Sequence, residues 1–99
     1  MNDVLRLDKW IWFSRISKTR SFAQSLCHQG CIKINSVLVN KPNKPVRIGD
    51  SITINYLDKN FEIKVLSLAK KRQSAKEAEK MYKPNLPIKV IIKKTYSYF

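Results

Sequence analysis

Thr19-Arg20-Ser21-Phe22-Ala23-Gln24-Ser25-Leu26-Cys27-His28-Gln29-Gly30-Cys31-Ile32-Lys33-Ile34-Asn35-Ser36-Val37-Leu38-Val39-Asn40 changes its period half-way along. Up to Gln29 the spacing is helical. Phe22, Ala23, Leu26 and Gln29 share one face, and Arg20, Gln24 and His28 lie one turn apart on the other. Thr19 stands where a hydroxyl caps a helix start, and Gly30 stands where a helix ends. After Gly30, Cys31–Ile34 and Val37–Asn40 are two β-branched runs split by Asn35-Ser36, the pattern of a tight hairpin. Ser36 is a weaker turn residue than glycine. A helix running straight into a hairpin marks an α+β chain.

Working outward, residues 6–16 read as an earlier helix. Leu7, Trp10, Ile11 and Ser14 fall on one face, and Lys9, Trp12, Phe13 and Ile16 on a second, mixed face. Asp8 in its first turn suits the helix dipole. Trp10 is expected in the core, whereas Trp12 and Phe13 suit either the core or stacking on a base. Downstream, Pro42 and Pro45 interrupt regular structure, and Val46–Asp50 leads into a strand over Ser51–Tyr56. Leu57–Asn60 reads as a turn and Phe61–Leu68 as the pairing strand. Ser74 and Glu77 form a capping box that opens a short helix through Met81 and Tyr82, ended by Pro84 and Pro87. Residues 88–99 alternate Lys with β-branched residues and fit an edge strand or a disordered tail. The expected architecture is one small α+β domain. Two N-terminal helices pack on a small, mainly antiparallel sheet over residues 5–68. A basic extension with a short helix follows over residues 69–99.

The charge is lopsided. Among 99 residues, 20 are Lys or Arg and 7 are Asp or Glu, for a net charge of +13. Both ends are cationic and the stretch 50–69 is nearly neutral. A chain this basic needs a polyanion to screen it, and nucleic acid is the first choice. The longest apolar run, Trp10–Phe13, falls far short of the roughly 20 residues that span a bilayer. Asp3 and Asp8 occupy a start that lacks an apolar signal core, so a cytoplasmic protein is expected. Cys27, Cys31 and His28 give three ligands where structural zinc takes four, so neither a metal nor a cofactor is expected. Cys27 and His28 are adjacent on a helix and point about 100° apart. No nucleophile–base pair is expected, and the chain does not read as an enzyme.

The cations combine with features that a phosphate site needs. Lys18, Thr19 and Arg20 sit at a helix start, where free N–H groups and the dipole favour an anion. Arg15 precedes them, and Lys9 lies beside the aromatic pair. Lys33 and Asn35 share one face of the hairpin, and Lys41, Asn43 and Lys44 follow in the loop. Phosphate contacts are assigned to Arg15, Lys18, Thr19, Arg20, Lys33, Lys41 and Lys44, and Lys9 joins them in the RNA-binding set. Gln24, Asn35 and Asn40 suit sugar or base edges.

Five pieces, Arg6-Leu7-Asp8-Lys9-Trp10, Lys18-Thr19-Arg20-Ser21, Gly30-Cys31-Ile32-Lys33-Ile34-Asn35, Lys41-Pro42 and Ile48-Gly49-Asp50, resemble the S-four (alpha-L) RNA-binding domain. The first two pieces, with the basic knot and Ser74–Tyr82, most resemble its free-standing, ribosome-associated heat-shock branch. The resemblance covers residues 5–82 and implies an RNA surface made by two helices and the following hairpin. It also implies a partner: ribosomal RNA, with tRNA, on a large subunit that retains a stalled nascent chain. Two departures stand out, Ser36 where the family usually has Gly and a short, β-prone tail. The residues alone leave two other readings open. One is a non-specific binder of DNA or RNA. The other is a membrane-surface protein, for which the first helix is the nearest fit although Asp8 interrupts its polar face. A monomer is expected.

Overall fold

The computed structural model describes residues 3–84. The element order is β1 (Leu5–Arg6), α1 (Leu7–Phe13), α2 (Arg20–His28), β2 (Ile32–Ile34), β3 (Val37–Val39), β4 (Pro45–Val46), β5 (Ser51–Tyr56), β6 (Lys59–Val65), α3 (Ala75–Ala78), a 3-10 turn over Glu79–Met81 and β7 (Tyr82–Pro84). The α+β expectation holds. Five antiparallel strands lie in the order β3-β2-β5-β6-β7, and β1 pairs separately with β4. No helix among the described residues is long and apolar enough to cross a membrane.

One core joins the helices to the sheet. Ile32, Ile34, Ile52, Ile54, Ile63 and Val65 alternate inward along β2, β5 and β6. Leu7, Trp10, Ile11 and Phe13 from α1 and Ala23, Leu26 and Cys27 from α2 close over them. Trp10 is wholly buried, as its face predicts. Its indole Nε1–H donates to the Ser67 carbonyl at 3.0 Å, and its ring meets Tyr82 edge-on at 6.4 Å. Phe13 is buried, and Trp12 is half-buried beside it.

Several boundaries move for local reasons. α1 stops at Phe13 rather than Ile16, because Ser14 caps it and Arg15 takes a left-handed φ of 62° that no helix continues through. Thr19 caps α2 as expected, its hydroxyl accepting from the Phe22 N–H at 3.0 Å. β2 begins one residue after Cys31, and β6 runs over Lys59–Val65 rather than Phe61–Leu68. The Ser74 hydroxyl accepts from the Glu77 N–H at 3.2 Å, but the α-helix it opens ends at Ala78. Tyr82 lies in a strand, not in that helix. It pairs with Val65, and burying its ring against Trp10 and Phe61 outweighs another helical turn. β1, β4 and β7 are too short to show a period, and the sequence did not reveal them. The expectation for residues 88–99 falls outside the described residues.

The hairpin turn carries two left-handed residues, Asn35 at φ 51° and Ser36 at φ 73°, as a two-residue primed turn requires. Asn35 is pinned from three directions. Its Nδ2–H donates to Asp50 Oδ1 at 3.1 Å, and its Oδ1 accepts from the Ser51 N–H at 2.9 Å. Its backbone N–H donates to the Ser51 carbonyl at 2.8 Å. Ser36 must bear the left-handed strain that glycine avoids. Ser36→Gly is therefore expected to raise stability by about 1 kcal/mol in urea denaturation. Trp10→Ala is expected to cost about 3–5 kcal/mol and to leave at most a loosened domain, read by near-ultraviolet circular dichroism.

Candidate nucleic-acid interface

The start of α1 has no capping side chain. Its first N–H groups instead find acceptors in a distant loop. Leu7 N–H donates to the Lys44 carbonyl at 2.9 Å, and Asp8 N–H donates to the Pro42 carbonyl at 3.1 Å. The pairing of Arg6 with Pro45 and of Leu5 with Val46 continues this junction. Lys41 and Lys44 are thereby fixed beside the helix start.

Asp8 is fully buried at that junction. Its Oδ1 accepts from Arg6 Nε at 3.0 Å and from the Lys9 N–H at 2.9 Å. Its Oδ2 accepts from Arg6 Nη2 at 3.2 Å, Arg20 Nε at 3.1 Å and Gln24 Nε2 at 2.9 Å. Burial pushes the Asp8 carboxyl up, but the hydrogen bonds from Arg6, Gln24 and Arg20, with the Arg20 charge, hold it below its ordinary value of 3.8. The carboxylate therefore stays ionised and fastens α1 to α2. Both arginines still face solvent, with 43% of the Arg6 and 36% of the Arg20 side chain exposed. Among the described residues the Arg20 guanidinium is anchored through Nε on Asp8 alone, with its side chain partly open to solvent.

A second junction holds the turn between the helices. Arg72 Nε–H donates to the Trp12 carbonyl at 3.1 Å, and Nη2 donates to the Ser17 and Lys18 carbonyls at 3.3 Å. Its guanidinium lies 5.6 Å from the centre of the Trp12 ring. Arg15 Nε–H returns a 2.7 Å bond to the Gln73 carbonyl, and Gln73 N–H donates to the Phe13 carbonyl at 3.1 Å. Lys18 is displayed on a turn braced from behind.

The predicted site residues thus divide. Arg20 and Gln24 meet at Asp8, and Lys41 and Lys44 join them through the start of α1. Lys18, Lys33 and Asn40 are exposed and Lys9 is half-buried. Lys33 stands beside Leu38 on the hairpin. The side chains of Arg15, Thr19 and Asn35 also make hydrogen bonds within the chain, Thr19 and Asn35 while exposed. Sequence reasoning missed Arg6, Asp8 and Arg72 as organisers. One signal was available: an acid beside Leu7 at the edge of an apolar helical stripe, in a chain with twenty bases, is placed to be paired. Burial drives the Cys27 thiol up to about 12, with the Asp8 and Cys31 charges adding to it, so it is not a nucleophile. Among the described residues no three His, Cys, Asp or Glu side chains gather to hold a metal ion.

Residues 5–52 match the S4 domain family. A heat shock protein 15 homologue of Haemophilus influenzae is 35% identical over 78 residues, covering 79% of this chain and 59% of the relative. The RQC P-site tRNA stabilizing factor of Streptococcus pneumoniae is 33% identical over 78 residues, covering 79% of this chain and 86% of the relative. The trimeric structure of Vibrio cholerae heat shock protein 15 shares the fold with a TM-score of 0.77 at 34% identity, over 84% of this chain and 83% of that one. The chain belongs to the heat shock protein 15 family of S4-domain proteins. It spans about three fifths of the length of the Haemophilus relative. In this S4-domain protein the whole Asp8 cluster falls within the matched segment, whereas Arg72 and Gln73 lie beyond it.

Asp8→Asn keeps the shape of the S4-domain cluster and removes its charge. It is expected to cost about 1–3 kcal/mol at neutral pH in urea denaturation. The sign of the pH effect follows from the lowered carboxyl. Asp8 stabilises the fold above its unfolded value of 3.8, and that contribution fades as pH falls below it. The native chain should therefore lose stability on acidification through this range more steeply than the variant.

Proposed function

We propose that this chain binds structured ribosomal RNA on the large subunit, in contact with a tRNA that still carries a stalled nascent chain, and acts there in translation quality control. It does so without catalysis, in the cytoplasm. The observation that carries the reading is the buried Asp8, which holds two half-exposed arginines in one orientation beside the Lys41–Lys44 loop. A fixed pattern of guanidinium and ammonium groups suits a folded phosphate backbone, which RNA-binding proteins read largely by shape. The Streptococcus relative is named for stabilising a P-site tRNA, which supports the same partner.

In this reading Arg20, Lys9, Lys18, Lys33, Lys41 and Lys44 contact phosphates, and Gln24 and Asn40 reach sugars or base edges. Arg15 and Thr19 add to the phosphate contacts and Asn35 to those with sugars or base edges, Thr19 and Asn35 being exposed and Arg15 half-buried. Residues 5–68 form the binding unit, and residues 69–84 of the extension brace it. One chain is the acting unit, and sedimentation velocity separates that from the trimer seen for the Vibrio protein.

Sucrose-gradient sedimentation of lysate tests the proposal. The protein is expected with free large subunits, enriched when tRNA-linked chains remain on them. Equal spread over both subunits, free RNA and DNA would leave a non-specific polyanion binder. If about five phosphates are neutralised, log K should fall with log salt at a slope of roughly −3.5 to −4.5. A slope near zero removes the electrostatic basis.

A further inference from the structure

The loop that completes α1 also walls an open groove against β3. Its volume is about 310 Å³, and Leu38, Asn40, Lys41, Asn43, Lys44 and Pro45 line it. No acidic residue lines it, whereas the neighbouring groove contains Asp50. Leu38 is 57% exposed, although leucine gains by burial. Lys33 is its cross-strand partner, so an exposed leucine sits among three lysines and two asparagine amides. The groove also touches the Asp8 junction. Pro45 on its wall is the cross-strand partner of Arg6, and the Lys44 carbonyl accepts from Leu7.

We propose that this groove holds one unpaired nucleotide of the bound RNA. The inference rests on the RNA-binding reading above and adds the form of RNA that is preferred. The base lies against Leu38 and Pro45, which offer an apolar floor to its ring face. Asn40 and Asn43 each present a donor and an acceptor, the pair of groups that a base edge matches. Lys41 and Lys44 meet the flanking phosphates, with Arg6 next along the backbone path. The volume sits at the lower end of small-ligand pockets, roughly 300–1,000 Å³, and so suits one ring system with its sugar. An acidic protein segment would satisfy the lysines, and its backbone would meet the two amides, but it offers no planar ring face to lie on Leu38 and Pro45. RNA commonly splays single bases from bulges and loops, where they are open to such recognition.

The test uses the full chain and two RNA hairpins of equal length and charge, one fully paired and one with a single bulged 2-aminopurine. Affinity is measured at fixed salt for the native chain and for Leu38→Ser, with thermal melting followed by circular dichroism to verify folding. The native chain should prefer the bulged hairpin by about 5-fold, the low end of what stacking a base on an aromatic side chain gives, since Leu38 and Pro45 offer an apolar floor without a ring π-face. The 2-aminopurine fluorescence should change on binding. Leu38→Ser should remove the preference and leave the paired hairpin bound as before, since the substitution changes no charge. A native chain without the preference, a preference that survives Leu38→Ser, or an equal loss on both hairpins would overturn the nucleotide site while the RNA-binding reading stands. Binding to neither hairpin would overturn both. A labelled acidic, leucine-containing peptide is the third arm. If Leu38→Ser abolishes its binding and leaves the bulge preference intact, the groove belongs to a protein partner.

Discussion

The carboxylate of Asp8 accepts hydrogen bonds from α1, from α2 and from the residue that precedes α1, all in a chain with thirteen excess positive charges. Without a buried anion, Arg6 and Arg20 would repel each other, and the ends of α1 and α2 would be pushed apart. With it, the same repulsion becomes a cross-link, because one carboxylate satisfies both guanidiniums and the Gln24 amide. An ion pair at the surface contributes little, since water and salt screen it. Here one partner has no solvent exposure, so the geometry is set by the protein. The surface proposed to face RNA inherits its shape from this one buried group.

Helices, caps and the long strands were legible in the sequence because each follows a local rule. Thr19, Gly30, Ser74 and the alternation of Ile52 and Ile54 report their own conformation within a few residues. The short pieces were not legible. β1 and β4 have two residues each, and they exist because the start of α1 borrows acceptors from residues 34 and 37 positions away. Tyr82 satisfied the helical pattern yet became a strand, because its ring fills the space between Trp10 and Phe61. The site was legible as composition and place but not as wiring. Arg20 and Gln24 were rightly placed on one helix face, while the group that brings them together lies on another helix. Asn35 reads as a contact residue, and its exposed amide has the further duty, not legible in the sequence, of holding the hairpin to β5.

The segment after β6 shows how a basic residue can work through backbone rather than through charge pairing. Arg72 reaches the Trp12 carbonyl in α1 and the Ser17 and Lys18 carbonyls on the turn between α1 and α2, and its guanidinium lies over the Trp12 ring. Burial, and after it the Arg15 charge, pull the pKa of its guanidinium below its ordinary value. Of the cations in the basic knot, Lys70 and Lys71 are exposed and Arg72 is half-buried, so one run of like residues carries two different duties.

The borrowed acceptors at the start of α1 also set an order of events during synthesis. A seven-residue helix is too short to persist alone, since nucleation costs more than so few bonds return. Its first N–H groups stay without protein acceptors until Pro42 and Lys44 have left the ribosomal tunnel, and its link to α2 waits for Arg20 and Gln24. The helix nearest the N-terminus is thus synthesised first and completed only after the hairpin that follows it.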